Sequence, residues 1–172
     1  MTRNVQLTFL SVLFLMGCPK LGTAALSKIG SEIRSIRTPV STGILFGWRY
    51  LHHRSDLFSI GGAAYTGQLS SGAQGSFSYG GLVAAYNTDI AGSSGLEISL
   101  MGGGAGGFTN AGAVAGGIAL EPNFSISFAL GRYVRTCVSV GYVWMPNFHN
   151  FSGYTAGLRF DFLSDDAEPH RS

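Results

Sequence analysis

Residues 153–162 read GYTAGLRFDF. In an extended strand, successive side chains point to opposite faces. On that period Tyr154, Ala156, Leu158, Phe160 and Phe162 share one face, and Thr155, Gly157, Arg159 and Asp161 share the other. The segments before it sort the same way. In 136–146, Val138, Val140, Tyr142 and Trp144 oppose Cys137, Ser139 and Gly141. In 123–133, Phe124, Ile126, Phe128 and Leu130 oppose Ser125, Ser127, Ala129 and Gly131. In 43–51, Ile44, Phe46, Trp48 and Tyr50 oppose Gly47 and Arg49. One face is bulky and apolar; the other is small, with occasional charges.

That polarity is wrong for a soluble sandwich, where bulky faces meet each other and the second face carries Lys and Glu in water. A closed barrel of inverted polarity accounts for it: the bulky face meets hydrocarbon and the small face fills a narrow lumen. Composition agrees. Charged residues are 12% of the 172, against roughly 25% in soluble domains. Glycine contributes 26 residues, about twice the usual share. The length suits one domain. Beyond the N-terminus no apolar block reaches the roughly 20 residues of a spanning helix.

Eight candidate strands follow, at 43–51, 57–66, 75–87, 95–107, 110–120, 123–133, 136–146 and 153–162. Each is near the roughly 9–11 residues that cross a bilayer at a tilt. The expected fold is all-β, an eight-stranded antiparallel up-and-down transmembrane β-barrel over 43–162. Arg49, Glu97, Arg159 and Asp161 fall on the inward face of their strands, and Glu121 continues that face. These five are the candidate lumen charge network, since an Arg against lipid at mid-depth costs about 2–4 kcal/mol. An even strand count puts both chain ends on one side. The loops on the opposite side are then expected at 51–56, 88–94, 121–123 and 146–152. Tyr50, Tyr86, Phe108, Tyr133, Trp144 and Tyr154 near strand ends suit interfacial girdles. The small-residue run 101–120 (MGGGAGGFTNAGAVAGGIAL) admits a competing reading as a pair of closely packed helices, which the triplet Gly102-Gly103-Gly104 disfavours.

Residues 1–25 have the layout of an export signal: Arg3, an apolar core at 5–16, and small residues at 22–25. Leu15-Met16-Gly17-Cys18 resembles the bacterial lipobox, which makes Cys18 a candidate for lipidation. Residues 26–42 place Ile29, Ile33 and Ile36 at helical spacing among Lys28, Glu32, Arg34 and Arg37, with Pro39 as a stop. They are expected to form a periplasmic linker or short helix. Residues 163–172 (LSDDAEPHRS) are expected to be a disordered polar tail. A net charge of +2 without a basic cluster gives no case for nucleic acid. Cys137, on a strand, reads as a small buried residue with no disulfide.

Thr155-x-Gly157-x-x-Phe160-x-Phe162 resembles the C-terminal β-signal of bacterial outer-membrane proteins, and the chain is similar to small barrels of the OmpA and OmpX type. The resemblance implies an outer-membrane location, membrane lipid as surroundings, and the barrel-assembly machinery as partner during insertion. A further envelope partner is not named by any motif. The chain departs from the pattern in carrying ten residues beyond Phe162.

No chemistry-bearing motif stands out, so neither cofactor nor catalytic residue is expected. His52 and His53 are adjacent, and adjacent side chains on a strand diverge, whereas a metal site needs three or four converging ligands. His149, Ser152 and Asp161 are similar in type to the Ser-His-acid set of the barrel enzymes that deacylate lipid A. That family spaces its His and Ser two apart; here they are three apart. At strand rise Asp161 also falls about 25 Å from His149, whereas a triad needs contact at roughly 3 Å. The expected role is structural or accessory in the envelope, with a narrow solute or ion channel, or a lipid-modifying barrel enzyme, as alternatives.

Overall fold

The computed structural model describes residues 27–164, apart from 56, 73, 92–93, 110–111, 113 and 132. The chain forms β1 (Ser27–Arg37), β2 (Ser41–His53), β3 (Phe58–Gly72), β4 (Gly75–Ala91), β5 (Ser94–Thr109), β6 (Val114–Ala129), β7 (Val134–Val143) and β8 (Gly153–Ser164). A 3-10 turn, His149–Phe151, precedes β8. Each strand pairs antiparallel with its chain neighbours, and β1 pairs β8 from Ser27↔Ser164 to Arg37↔Tyr154, closing the barrel. Closure leaves no open sheet edge along that seam.

The architecture is the expected eight-stranded barrel, with two of its boundaries placed differently. Residues 26–42 were expected as a linker or short helix; instead 27–37 form β1. The isoleucine spacing that suggested a helix is split: Ile29 and Ile33 face outward, whereas Ile36 is buried inside. Lys28, Glu32 and Arg34 all share the even, inward parity, so the strand period is carried by the charges. The second correction falls at 121–123, expected as a loop between strands at 110–120 and 123–133. Residues 114–129 are one strand, β6. The barrel therefore spans 27–164 rather than 43–162. The missed first strand and the merged pair cancel in the count.

Pro122 explains how β6 continues. Leu120 exchanges backbone hydrogen bonds with Trp144, 3.0 and 2.7 Å, so its amide points toward β7. Pro122 has the same parity and directs its missing N–H to the same side. There the ladder is interrupted, between the bridge Leu120↔Trp144 and the pair Asn123↔Gly141. Proline is tolerated in a sheet where no ladder donor is required.

Adding a strand at the start reverses β2 to β5. β2 and β3, like β4 and β5, are therefore joined at the end that carries Ser27 and Ser164, not at the opposite end as expected. β1 and β2, β3 and β4, β5 and β6, and β7 and β8 are joined at the far end. The competing helical reading of 101–120 is also overturned: Gly102↔Leu120 through Phe108↔Val114 are strand pairs of β5 and β6. The glycines are needed inside this wall. A methyl on Gly81 would run into the backbone of Gly102 and Gly103. Residues 163–164 belong to β8; the remainder of the expected tail, 165–172, and the export signal with Cys18 lie outside the described residues.

Candidate functional site

The alternation of eight strands divides side chains into two populations. Outward stand Ile44, Phe46, Trp48, Tyr50, Leu82, Tyr86, Ile98, Leu100, Ile118, Phe124, Phe128, Val138, Val140, Leu158 and Phe160, all exposed. Tyr50, Tyr86 and Tyr133 lie toward the terminal end, and Phe108, Trp144 and Tyr154 toward the far end. Inward, the lumen is packed in three layers.

The terminal-side layer is ionic. Glu97 sits at its centre. Lys28 Nζ donates to Glu97 Oε2 at 2.6 Å, and Arg49 Nη1 and Arg159 Nη2 both donate to Oε1, at 2.7 and 3.2 Å. Arg159 Nε donates to Asp161 Oδ1 at 2.8 Å, and the Cys137 thiol donates to Oδ2 at 3.1 Å. Lys28 Nζ also lies 3.7 Å from Asp161. The middle layer reverses the balance, with one cation between two carboxylates. Arg34 Nη2 donates to Glu32 Oε2 at 2.9 Å, and its Nη1 to Glu121 and, at 3.1 Å, to Tyr79 Oη. Its guanidinium carbon lies 3.9 Å from the centre of the Tyr65 ring. Neutral hydroxyls complete the carboxylates: Tyr65 and Ser139 donate to Glu32 at 3.0 and 2.6 Å, and Thr155 to Glu121 at 3.0 Å. The far-side layer is apolar, with Ile36, Leu45, Leu69, Val143 and Met145 around Phe77. Phe151 from the 3-10 turn stacks on Phe77, ring centres 6.1 Å apart.

The structure thus places Arg49, Glu97, Arg159 and Asp161 in one layer and Glu121 in the next. Lys28, Glu32 and Arg34 were not among the expected lumen charges because 26–42 reads as a linker or short helix, and Tyr65 and Tyr79 were not because aromatics read as outer wall. Every one of these ions is buried, and each would be costly there without a partner.

The remaining candidates are kept apart. Thr155 and Gly157 face the lumen, and a Cβ on Gly157 would meet Glu32 Oε1 at 2.6 Å, whereas Phe160 and Phe162 face outward. His53 Nδ1 bonds Ser59 Oγ at 3.0 Å at the terminal rim. Ser152 is occupied at the far end, accepting from the Met145 amide at 2.9 Å, beside an exposed His149. Asp161 belongs to the terminal-side layer, so these three residues form no triad. Among the described residues no group of three His, Cys, Asp or Glu is arranged to hold a metal.

No protein-family model and no curated protein sequence matches the chain. Solved structures are similar in shape. The N-terminal β-barrel domain of Pseudomonas aeruginosa OprF aligns with a TM-score of 0.59 at 13% identity, over 83% of this chain and 100% of that one. Neisserial surface protein A gives 0.59 at 12%, over 84% and 100%. OprG, an outer-membrane protein of P. aeruginosa, gives 0.61 at 10%, over 84% and 97%. At such identities the likeness is one of fold, and the fold shared is that of the small closed antiparallel barrels of bacterial outer membranes.

Proposed function

We propose that this chain is an exported outer-membrane β-barrel protein with a structural or accessory role in the bacterial envelope. The observation that carries the reading is the outward wall. Phe46, Trp48, Leu82 and Ile118 are each more than 60% exposed and continue around the barrel in a nearly uncharged belt. Contiguous apolar surface on that scale is rare on soluble monomers, and lipid is the surrounding that removes its cost. The likeness to outer-membrane barrels supports the same reading. The packed lumen favours a structural role over conduction, because ion pairs and an apolar cap occupy it in series. The separation of His149, Ser152 and Asp161 favours it over lipid deacylation. Membrane lipid is the steady partner, and the barrel-assembly machinery reading β8 the transient one.

A folded barrel of this kind migrates differently on a gel before and after boiling. The protein should show that shift and should fractionate with outer membranes. A single unshifted band, or recovery in the soluble periplasm, would overturn the reading. Mass spectrometry of the mature N-terminus decides whether Cys18 is lipidated.

A further inference from the structure

Among the described residues the lumen holds four buried cations, Lys28, Arg34, Arg49 and Arg159, against four buried carboxylates, Glu32, Glu97, Glu121 and Asp161, but its hydrogen-bond donors and acceptors are not evenly matched. In the middle layer Arg34 faces Glu32 and Glu121, and hydroxyl donors from Tyr65, Ser139 and Thr155 satisfy the surplus carboxylate oxygens. In the terminal-side layer Lys28, Arg49 and Arg159 hydrogen-bond, among the described residues, to Glu97 and Asp161, and Arg159 also lies opposite Glu32 on the neighbouring strand. All four oxygens of those two carboxylates already accept: two guanidinium donors on Glu97 Oε1, Lys28 on Oε2, Arg159 on Asp161 Oδ1 and Cys137 on Oδ2. Three buried donors are left over. Arg49 Nε and Nη2 and Arg159 Nη1 have no acceptor among the described residues. The side chains of Arg49 and Arg159 are only 3% and 1% exposed, so bulk water does not serve them.

The leftover nitrogens belong to the two guanidinium groups that already meet at Glu97 Oε1. The surplus donors thus occur at one place. The polar groups nearer the terminal mouth are Lys28, Arg135, whose Nη1 lies beside Gly95 and Ser127, His53 on Ser59, and the exposed carboxylate of Asp89, the ladder partner of Gly95. Buried polar groups in native proteins nearly always find partners, and an unpaired buried cation is costly. We infer that the terminal-side lumen is a binding site for a small oxyanion, a phosphate or carboxylate group, held by the free Nε–Nη2 edge of Arg49 and by Nη1 of Arg159. Planar guanidinium edges match such oxygens in bidentate fashion. One anion supplies the acceptors that these donors lack. The inference rests on the lumen geometry and goes beyond the proposed envelope role.

The test uses purified, folded protein in an uncharged maltoside detergent, with labelled arginine side chains followed by NMR. Inorganic phosphate and a short-chain phosphatidic acid are titrated separately. Saturable shifts of the Arg49 and Arg159 side-chain N–H signals with either probe support the site, and the tighter probe identifies free or lipid-borne phosphate as the source. Arg49→Lys keeps the charge opposite Glu97 but removes the free edge, and should weaken binding by about tenfold or more. Phosphate should also raise the unfolding temperature of the unsubstituted protein, a readout independent of whether the variant folds. Absence of any saturable shift with both probes, or equal affinity in a folded Arg49→Lys protein, would overturn the inference. Gel heat-modifiability on the same samples separates failure of the site from failure of the barrel reading.

Discussion

Glu97 is the residue on which the lumen turns, because three cations from three strands converge on its two oxygens. Glu97→Gln leaves the volume nearly unchanged but removes the charge that Lys28, Arg49 and Arg159 share. Breaking a buried pair by removing one partner costs about 3–5 kcal/mol, and a loss of that size is expected. Glu121→Gln is expected to be milder, about 1.5–3 kcal/mol, since Arg34 retains Glu32 at 2.9 Å. Urea unfolding of the two variants in lipid vesicles, followed by the fluorescence of Trp48 and Trp144, measures the difference. Equal losses would show that the charges are not ordered around Glu97. Much of this layer is legible from the sequence. An Arg or Glu at strand parity opposite a row of aromatics has only the lumen to enter, as Arg49 and Arg159 illustrate. Tyr65 and Tyr79 are not legible in that way. A tyrosine suits either wall, and it is the register of β3 and β4, with Ala63 and Leu69 or Phe77 and Val83 on the same parity, that turns these two inward to meet Arg34.

Strands are legible where large and small residues alternate, and less so where another period competes. β1 carries both signals: its isoleucines imitate a helix while Lys28, Glu32 and Arg34 keep the period of two. The deciding information is long-range, because these charges become tolerable only beside Glu97, Glu121 and Asp161 from distant strands. β6 fails differently. A Glu-Pro-Asn triplet has turn chemistry in isolation, and only the gap in the β6–β7 ladder shows why Pro122 is harmless there. Pro122→Ala is therefore expected to keep the barrel folded and to change stability by less than about 1 kcal/mol. Phe124→Pro, two residues on, removes an amide that faces β7 within the regular pairing Phe124↔Val140. That variant should lose the heat-modifiable band. If Pro122→Ala were strongly destabilising, the proline would be holding β6 rather than being accommodated by it.

For the whole molecule, what distinguishes a membrane barrel from a soluble one is the depth dependence of its outer wall. Leu158 lies midway along β8, paired with Ile33 of β1 and Val138 of β7, in the middle of the apolar belt. Tyr154 lies at the far end of the same strand, packed edge-to-face on Tyr142 with ring centres 4.9 Å apart. Both face outward, so a difference between arginines at the two positions reports the surroundings rather than the protein interior. In a bilayer Leu158→Arg should cost about 2–4 kcal/mol and a residue near the interface about 0–1, to which Tyr154→Arg adds the lost ring contact of about 0.5–1.5 kcal/mol. In water neither arginine is penalised for its charge, and Leu158→Arg would be close to neutral. Unfolding free energies of the two variants in vesicles therefore separate the cases: a clear excess cost at Leu158 belongs to a wall immersed in lipid. A Leu158→Arg protein as stable as its parent would mean that the bulky face of GYTAGLRFDF has some cover other than hydrocarbon.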